Sequence, residues 1–196
     1  MPMQKYVAEL LGTFLLTFAV IASLSAGFPV ATPIIAGLTL GLVVYTLGAV
    51  SGAHINPAVT VALLSIKKIG VRDAVAYIIA QGVGATLALL LARHLFDFTS
   101  SLVAVDTVEV FLGEVIGTFV LLFAAASVVL KKDTENYGGL VIGVSLALGA
   151  SVAGRVSNGI LNPALAWGIG SFSLVYVIGP VVGALVAAQL VKWLMR

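Results

Sequence analysis

The chain has little charge and no cysteine, and each shortage excludes a class of protein. Charged residues make up 9% of its 196 residues and hydrophobic residues 61%, whereas soluble domains average about 25% charged and about 45–50% apolar. A chain of this length cannot bury so much apolar surface in water, so the composition indicates a membrane protein. The lack of cysteine excludes disulfides and thiolate metal sites. The net charge of +2 is too small and too scattered to indicate a nucleic-acid partner.

Apolar segments long enough to cross a bilayer, which needs about 20 helical residues, recur along the chain. We predict six: 6–27, 33–51, 72–95, 108–130, 138–156 and 172–194. The first is interpreted as a retained span and not a cleaved signal peptide. Two stretches that begin NPAVTVALLSI and NPALAWGIG are too short to cross. The sequence therefore predicts an all-α membrane protein with six transmembrane helices and two re-entrant half-helices.

Basic residues are distributed unequally between the two predicted membrane faces. With the N-terminus in the cytoplasm, only Arg93 and Arg155 lie on the outer face. The positive-inside rule fits the others, which flank the cytoplasmic side: Lys5, Lys67, Lys68, Arg72, Lys131, Lys132, Lys192 and Arg196. We predict that both termini are cytoplasmic, and the short loops favour a prokaryotic inner membrane.

The two halves of the chain match each other. ELLGTF at 9–14 corresponds to EVIGTF at 114–119, Gly37 to Gly143, Asn-Pro-Ala at 56–58 to the same triplet at 162–164, and YIIAQGVGA at 77–85 to YVIGPVVGA at 176–184. Because each half has an odd number of full crossings, the second half must be inverted in the membrane. We predict a single transmembrane domain over 1–196, with inverted repeats over about 1–98 and 104–196 whose half-helix N-termini meet near the midplane.

The paired triplets predict the chemistry at that meeting point. Asn suits the N-cap and Pro the first helical position, and the residues concerned are Asn56, Pro57, Ala58, Asn162, Pro163 and Ala164. Each Asn oxygen would accept a bond from its helix start, leaving the NH2 group free to donate. Two facing helix N-termini repel cations. The pattern predicts a passive pore for small neutral solutes that excludes ions and protons. The simpler alternative is that each triplet only starts a helix, but two matching triplets in an inverted repeat disfavour it.

The chain before each triplet is predicted to be irregular, which a membrane tolerates only in packed protein or beside an aqueous cavity. Its carbonyl groups would face solute, and they belong to Gly52, Ala53, His54, Asn158, Gly159 and Ile160. The His54 side chain is interpreted as a loop-packing donor and not a metal ligand, because no second histidine or thiol lies near it. We predict no metal and no cofactor.

Glu9 and Glu114 lie within apolar spans, where an ionisable group costs about 2.5–3.5 kcal/mol or more. They would either brace loop N–H groups or form a proton relay, and their symmetric placement favours bracing. Four glycines are predicted to allow close helix contacts: Gly12, Gly84, Gly117 and Gly183.

These paired motifs resemble the aquaporin, or major intrinsic protein, family over nearly the whole chain. SGAHINPAVT at 51–60, the second triplet, the two Glu-x-x-Gly-Thr motifs and the QGVGA/GPVVGA pair carry the resemblance. It implies six tilted helices and two half-helices around one pore per subunit, usually in a homotetramer. By matching position it implies that Asn56 and Asn162 donate to a passing solute and that Glu9 and Glu114 brace the re-entrant loops.

The chain departs from the family pattern at the outer constriction. Arginine usually follows the second triplet in the family, whereas Leu165 does so here, and the three matching positions are Ala36, Ala150 and Gly159. We therefore expect a wide apolar filter that passes water and solutes such as glycerol, urea, ammonia or undissociated metalloid acids. Such a ring could also dewet and slow the flow of water.

The remaining predictions concern the pore wall and rival functions. Leu16 and Leu121 are predicted to form the apolar wall opposite the Asn pair, and Arg155 is interpreted as a solvent-facing loop residue and not a substitute for the filter arginine. A secondary transporter is the main alternative, because inverted repeats and broken helices occur there too. A closed-pore junction protein is a weaker one, and no nucleophile–base pair indicates an enzyme.

Overall fold

A computed structural model describes residues 2–24, 28–100, 102–131 and 136–196. Across these ranges the chain is all-α, without a β-strand. The helices are α1 (Pro2–Leu24), α2 (Thr32–Ser51), α3 (Pro57–Ser65), α4 (Val71–Phe96), α5 (Val108–Leu130), α6 (Gly138–Ala153), α7 (Pro163–Gly168) and α8 (Val175–Leu194). The predicted end of the first span, residues 25–27, and the placement of Lys132 lie outside the described residues.

Five helices, α1, α2, α4, α5 and α8, are long and apolar enough to cross a membrane, and the protein is an integral membrane protein. The sixth long helix, α6, has 16 residues and ends at Ala153, before the predicted limit of 156. Beyond Ala153 the Arg155 and Val156 N–H groups donate to the Val152 and Ala153 carbonyls, three residues earlier, so turns replace the α-helix. The Ser157 hydroxyl donates to the Ala153 carbonyl and to Glu114. The last predicted span also begins later, at Val175 instead of 172.

The long helices pack in two matching sets: α1 lies along α4 and beside α2, α5 lies along α8 and beside α6, and α2 meets α6 between the sets. Glycine allows the closest approaches. A Cβ on Gly84 of α4 would clash with the Leu10 carbonyl of α1, and one on Gly183 of α8 with the Val115 carbonyl of α5. These contacts are the close helix crossings that the sequence predicts.

The equivalent glycines Gly37 and Gly143 face each other across the α2–α6 contact. A Cβ on Gly37 would lie 2.5 Å from the Gly143 carbonyl oxygen. Gly12 and Gly117 also make space for loop side chains. A Cβ on Gly12 would lie 2.6 Å from the Ile55 side chain, and one on Gly117 would lie 2.5 Å from the Leu161 side chain. Small residues therefore bring the two halves together and make room for the loops that precede the half-helices.

The half-helices α3 and α7 pack crosswise, α3 against α8 and α7 against α4. They have 9 and 6 residues, which at about 1.5 Å per residue is too short to cross a core of about 30 Å. The C-terminal end of α3 is close to that of α8, where the Gln189 amide donates to the Ser65 hydroxyl over 3.0 Å. Each half is thus tied into the other through its half-helix.

Candidate functional site

Each half-helix begins at an asparagine in extended conformation. The Asn56 Oδ1 accepts from the Ala58 N–H at 2.8 Å, and the Asn162 Oδ1 accepts from the Ala164 and Leu165 N–H groups at 3.0 and 3.3 Å. Proline follows each asparagine, where no N–H donor is needed. Both asparagine side chains therefore cap their helices as the sequence predicts.

The asparagine amides also join the two half-helix tips. The Asn56 Nδ2 donates to the Leu161 carbonyl at 2.9 Å, and the Asn162 Nδ2 donates to the Ile55 carbonyl at 3.0 Å. The expectation that the NH2 groups are wholly free therefore needs correction. One hydrogen of each group bonds the opposite loop, and because an amide NH2 has two, one remains for another acceptor.

The loops that lead to the asparagines share an unusual backbone. Ala53 and Gly159, at matching positions, have φ of 48° and 60°, and Ile55 and Leu161 have φ of 39° and 57°. Side chains larger than glycine rarely adopt this left-handed region, and a β-branched residue does so least. Both loops therefore require strong partners to hold them.

Those partners are the two buried carboxylates. Glu9 Oε1 accepts from the His54 N–H at 2.9 Å and Oε2 from the Ile55 N–H at 2.6 Å. Glu114 binds the second loop in the same way, with Oε1 accepting from Ile160 at 3.0 Å and Oε2 from Leu161 at 2.7 Å. Both glutamates are fully buried. Their bonds go to backbone donors that the irregular loops leave unpaired.

A serine and a tyrosine complete each brace. Ser51 donates to Glu9 and accepts from the Ala53 N–H, while its carbonyl accepts from the Tyr77 hydroxyl at 2.7 Å. In the second half Ser157 donates to Glu114 and accepts from Gly159, and the Tyr176 hydroxyl accepts from the Asn158 N–H at 3.0 Å. The sequence signals for these two residue pairs are SG-x-x-x-NP and S-NG-x-x-NP for the serines and the aligned positions 77 and 176 for the tyrosines, none of which the predicted site includes.

The first brace has an additional polar network. The Gln81 amide donates to Glu9 Oε2 at 2.8 Å and to the Thr60 hydroxyl at 3.0 Å, and Thr60 donates to the Asn56 carbonyl. The His54 ring, which is buried, lies with its Nδ1 3.2 Å from Thr60 Oγ1, as expected for a loop-packing side chain. Pro180 and Ala166 occupy the matching positions in the second half, so the network is confined to the first.

A first vestibule, with a cavity volume of about 40 Å³, contains both asparagines. Its lining combines the loop residues Gly52, Ala53, His54 and Ile160 with the apolar side chains of Leu16 and Leu121. Leu40 and Leu146, which no sequence motif marks, also line it. They lie four residues from Ala36 and Ala150, one helical turn deeper.

A second vestibule, with a cavity volume of about 100 Å³, contains all four residues of the predicted filter: Ala36, Ala150, Gly159 and Leu165. Three apolar residues line both vestibules, and we call this shared lining the apolar neck: Leu146, Ile160 and Leu165. Leu102, from the α4–α5 connection, also lines the second vestibule. The site therefore includes residues on a helix and a loop that no motif identifies.

The six loop carbonyls predicted to face solute all belong to residues that line one of the vestibules. Within the described ranges none of these oxygens accepts a backbone hydrogen bond beyond those of the regular helices, whereas the neighbouring Ile55 and Leu161 carbonyls are occupied by the asparagines. The two loops thus present free acceptors beside the remaining asparagine donors.

Some predicted residues lie away from the vestibules. Pro57, Pro163 and Ala164 line a groove on the outside of the helix bundle, and Ala58 is fully buried. Arg155 is exposed and is not part of either vestibule lining, as expected of a solvent-facing residue. Of each triplet, only the asparagine reaches the cavity.

Comparison with known proteins yields one family. The family model described as "Major intrinsic protein" matches residues 1–191. A glycerol uptake facilitator protein-like 6 of Lactiplantibacillus plantarum is 36% identical over 95% of both chains, and aquaporin AqpM of Methanothermobacter thermautotrophicus is 29% identical over 97% of both. Aquaporin NIP3-1 of Arabidopsis thaliana is 36% identical over 94% of this chain, which spans 65% of that relative.

A solved structure has the same fold. The X-ray structure of the aquaglyceroporin from Plasmodium falciparum superposes with a TM-score of 0.77, covering 98% of this chain and 100% of the other, at 22% sequence identity. At that identity the likeness concerns the fold alone.

Proposed function

The chain belongs to the major intrinsic protein family, a family of membrane channels, and from that premise we propose that it forms a passive pore for water and small uncharged solutes such as glycerol, urea, ammonia or metalloid acids. The observation that carries the proposal is the pairing of free loop carbonyls and asparagine amide donors with apolar side chains in the lining of two cavities that share three residues. An uncharged molecule with both hydroxyl and carbon faces fits this lining.

The mechanism follows from the two sides of the first vestibule. A solute hydroxyl donates to the carbonyls of Gly52, Ala53 and His54 and accepts from the free amide hydrogens of Asn56 and Asn162. Its carbon face slides along Leu16 and Leu121. In the second vestibule the carbonyls of Asn158, Gly159 and Ile160 accept hydrogen bonds from the solute in the same way. Glu9 and Glu114 do not touch the solute; they hold the loops that carry these acceptors.

Exclusion of ions rests on the half-helix tips. Each helix N-terminus carries the equivalent of about half a positive charge, and the tips of α3 and α7 meet at the asparagine pair. A cation there would lose its water shell and meet a repulsive field. A water molecule that accepts from both asparagines directs its own hydrogens away from the pair, which interrupts a proton wire.

The filter determines the range of solutes. Ala36, Ala150, Gly159 and Leu165 add no charge and little bulk to the second vestibule, so we infer a broad preference for neutral molecules larger than water. The apolar neck beyond the filter favours dewetting, which makes water permeation slower than the width of the opening would allow.

At the level of the whole molecule we propose one channel domain over residues 1–196 with two inverted repeats, cytoplasmic termini and a prokaryotic inner membrane as its location. We also propose a homotetramer with one pore in each subunit. The family and the unequal distribution of basic residues support these proposals.

The first experiment is stopped-flow light scattering on proteoliposomes with water, glycerol and urea gradients. We expect glycerol and urea to enter several-fold faster than into empty liposomes, without saturation and without dependence on a proton or sodium gradient. Flux that saturates and requires such a gradient would instead favour a secondary transporter. No excess flux of any neutral solute would overturn the proposal.

The filter has its own test. Leu165→Arg places a fixed cation and a longer side chain in the second vestibule, so glycerol flux should fall about tenfold or more while water flux persists. Leu165→Met is the matched control, because it keeps an apolar side chain of similar volume and should retain wild-type glycerol flux. Unchanged glycerol flux in the arginine variant would show that Leu165 lies outside the constriction.

A further inference from the structure

A groove on the outside of the helix bundle has a cavity volume of about 640 Å³ and is lined by α4, α7 and the first turn of α8. We call it the outer groove, and its α4 wall lies between Ile78 and Leu87. Its two polar side-chain groups are bonded: the Trp167 indole N–H donates to the Thr86 hydroxyl at 3.0 Å, and that hydroxyl donates to the Gly82 carbonyl at 2.9 Å. The lining therefore suits a hydrocarbon chain, which requires no hydrogen bonds.

The outer groove reaches the back of both half-helix tips. Pro57 and Pro163, the first residues of α3 and α7, belong to its lining. Proline has no backbone N–H, whereas any other residue at the first helical position would present an unpaired donor there. Such a donor is costly in hydrocarbon. The two prolines therefore allow an apolar ligand to lie directly against the tips.

Two aromatic rings add a large apolar surface to the outer groove. Trp167 and Phe172 are each 52% exposed, and their rings meet edge to face with centroids 5.6 Å apart. Next to Phe172, the Ser171 hydroxyl donates to the Leu102 carbonyl, which lies beyond the C-terminal end of α4. The rings are therefore in the half of the groove that leads toward that end of α4, where they offer contact area to a hydrocarbon chain.

An exposed cation lies on the same face of α4, beyond the groove. Arg93 follows Thr86 by seven residues and Thr86 follows Ile79 by seven, so the three share one face of the helix. Val83 is at the centre of α4, and ten more residues place Arg93 about 15 Å away, half of a hydrocarbon core of about 30 Å. Arg93 is therefore at the depth where hydrocarbon gives way to lipid headgroups. Within the described residues no carboxylate forms a salt bridge with it.

We propose that the outer groove is a binding site for an anionic phospholipid of the leaflet on the Arg93 side. The phosphate binds the Arg93 guanidinium, which pairs well with phosphate oxygens. One acyl chain passes the rings of Trp167 and Phe172 and ends against the half-helix tips. A ligand with one anionic end and one hydrocarbon end matches the arrangement of a cation beyond an apolar groove. The site does not depend on which solute the pore passes.

The test uses Trp167 as the reporter. Trp193→Phe removes the other tryptophan of the chain, and this single-tryptophan protein is reconstituted into phosphatidylcholine vesicles that contain a minor fraction of phosphatidylglycerol. Bromines on the acyl chains of one lipid or the other quench tryptophan fluorescence on contact, so the two labellings together give the relative association constant of the lipids at the groove. We expect phosphatidylglycerol to be preferred about three- to fivefold.

The headgroup contact is tested at Arg93. Arg93→Gln in the same background should bring the preference for phosphatidylglycerol close to one, because the side chain keeps its length but loses its charge. Arg93→Lys should retain most of the preference. Arg155→Gln is the matched control, since it removes an exposed arginine that lies off α4, and its preference should equal that of the single-tryptophan protein.

The chain contact is tested at Gly82, which lines the groove and where a Cβ would meet nothing within 4 Å. Gly82→Leu therefore directs a side chain into the groove without repacking the bundle, and quenching of Trp167 by both brominated lipids should fall at least about twofold because the chain is displaced from the ring. Gly70→Leu is the control, because a Cβ there also meets nothing within 4 Å and Gly70 lies outside the groove lining.

Three outcomes would overturn the inference. If neither brominated lipid quenches Trp167, another copy of the chain covers the groove. If the preference for phosphatidylglycerol is absent, or persists in Arg93→Gln, the phosphate does not bind Arg93. If quenching is unchanged in Gly82→Leu, the acyl chain lies elsewhere. None of these outcomes bears on solute flux, which is measured separately, so the proposed function stands or falls independently.

Discussion

Ile55 and Leu161 illustrate how single residues are held in conformations that they rarely adopt. Both have positive φ and both are fully buried. A left-handed conformation costs about 1–3 kcal/mol at a residue other than glycine. Glu9 and Glu114 offset that cost by binding the N–H groups of these residues, and the loop residues that precede them line the vestibules. In the proposed pore the carboxylates therefore act on solute only through the backbone.

Glu114→Gln tests this brace. The amide has one acceptor oxygen in place of two, so one N–H of Ile160 or Leu161 loses its partner in a buried site. We expect a loss of about 1–3 kcal/mol of stability, measured as a lower thermal unfolding midpoint in detergent by tryptophan fluorescence. Glu109→Gln, an exposed position on the same helix, should leave the midpoint nearly unchanged. An equal drop in both variants would contradict the bracing role.

Among the elements, the half-helices depend on their neighbours. With 9 and 6 residues, α3 and α7 are shorter than the 12–15 residues below which isolated helices are marginal in water. Their asparagine caps and their crosswise packing on α8 and α4 stabilise them. In turn, α4 can approach α1 and α8 can approach α5 only because glycine, which has no side chain, stands at each crossing.

Gly84→Ala tests the α1–α4 crossing. The added Cβ would clash with the Leu10 carbonyl and approach the Phe14 nitrogen at 3.0 Å, and such overpacking costs about 1–3 kcal/mol. Gly82→Ala, two residues earlier on α4, is the control, since a Cβ there meets nothing within 4 Å. We expect the thermal midpoint to fall in the first variant and to hold or rise in the second. The reverse order would show that the crossing is not tightly packed at Gly84.

At the scale of the whole molecule, the two halves are related by inversion and depend on each other. The asparagine bonds link residues 105 and 107 positions apart, and Gly37 meets its counterpart Gly143 between the halves. Neither half forms a vestibule alone, because every wall combines residues from both. The proposed orientation in the membrane rests on the distribution of the basic residues and not on packing.

The absence of cysteine makes a topology experiment straightforward. Lys67→Cys and Val103→Cys each introduce a single exposed thiol. In intact bacterial cells a membrane-impermeant maleimide should label the Val103 variant and leave the Lys67 variant unlabelled until the cells are opened. Labelling of Lys67→Cys in intact cells would reverse the proposed orientation.

Local patterns were sufficient for much of this fold. Apolar runs predicted the six long helices to within four residues at their described ends, and Asn-Pro predicted the starts of both half-helices, because these features depend on neighbouring residues. The inverted repeat could also be read directly, since Glu9 and Glu114 recur with their surrounding motifs. The family resemblance followed from the same paired motifs, and comparison with known proteins confirmed it.

Contacts between distant segments decided the rest. Three features depend on how the two halves are juxtaposed. Each asparagine donates one amide hydrogen to the opposite loop, Leu146 and Ile160 line the neck with Leu165, and Leu102 lines the second vestibule. The left-handed turns at Ile55 and Leu161 also depend on this juxtaposition. No residue preference would predict these turns, which the buried carboxylates of Glu9 and Glu114 hold together with the serines and the asparagine amides. A local sequence pattern determines secondary-structure propensity and hydrophobic periodicity. The shape of a cavity depends instead on contacts between segments that are remote in the chain.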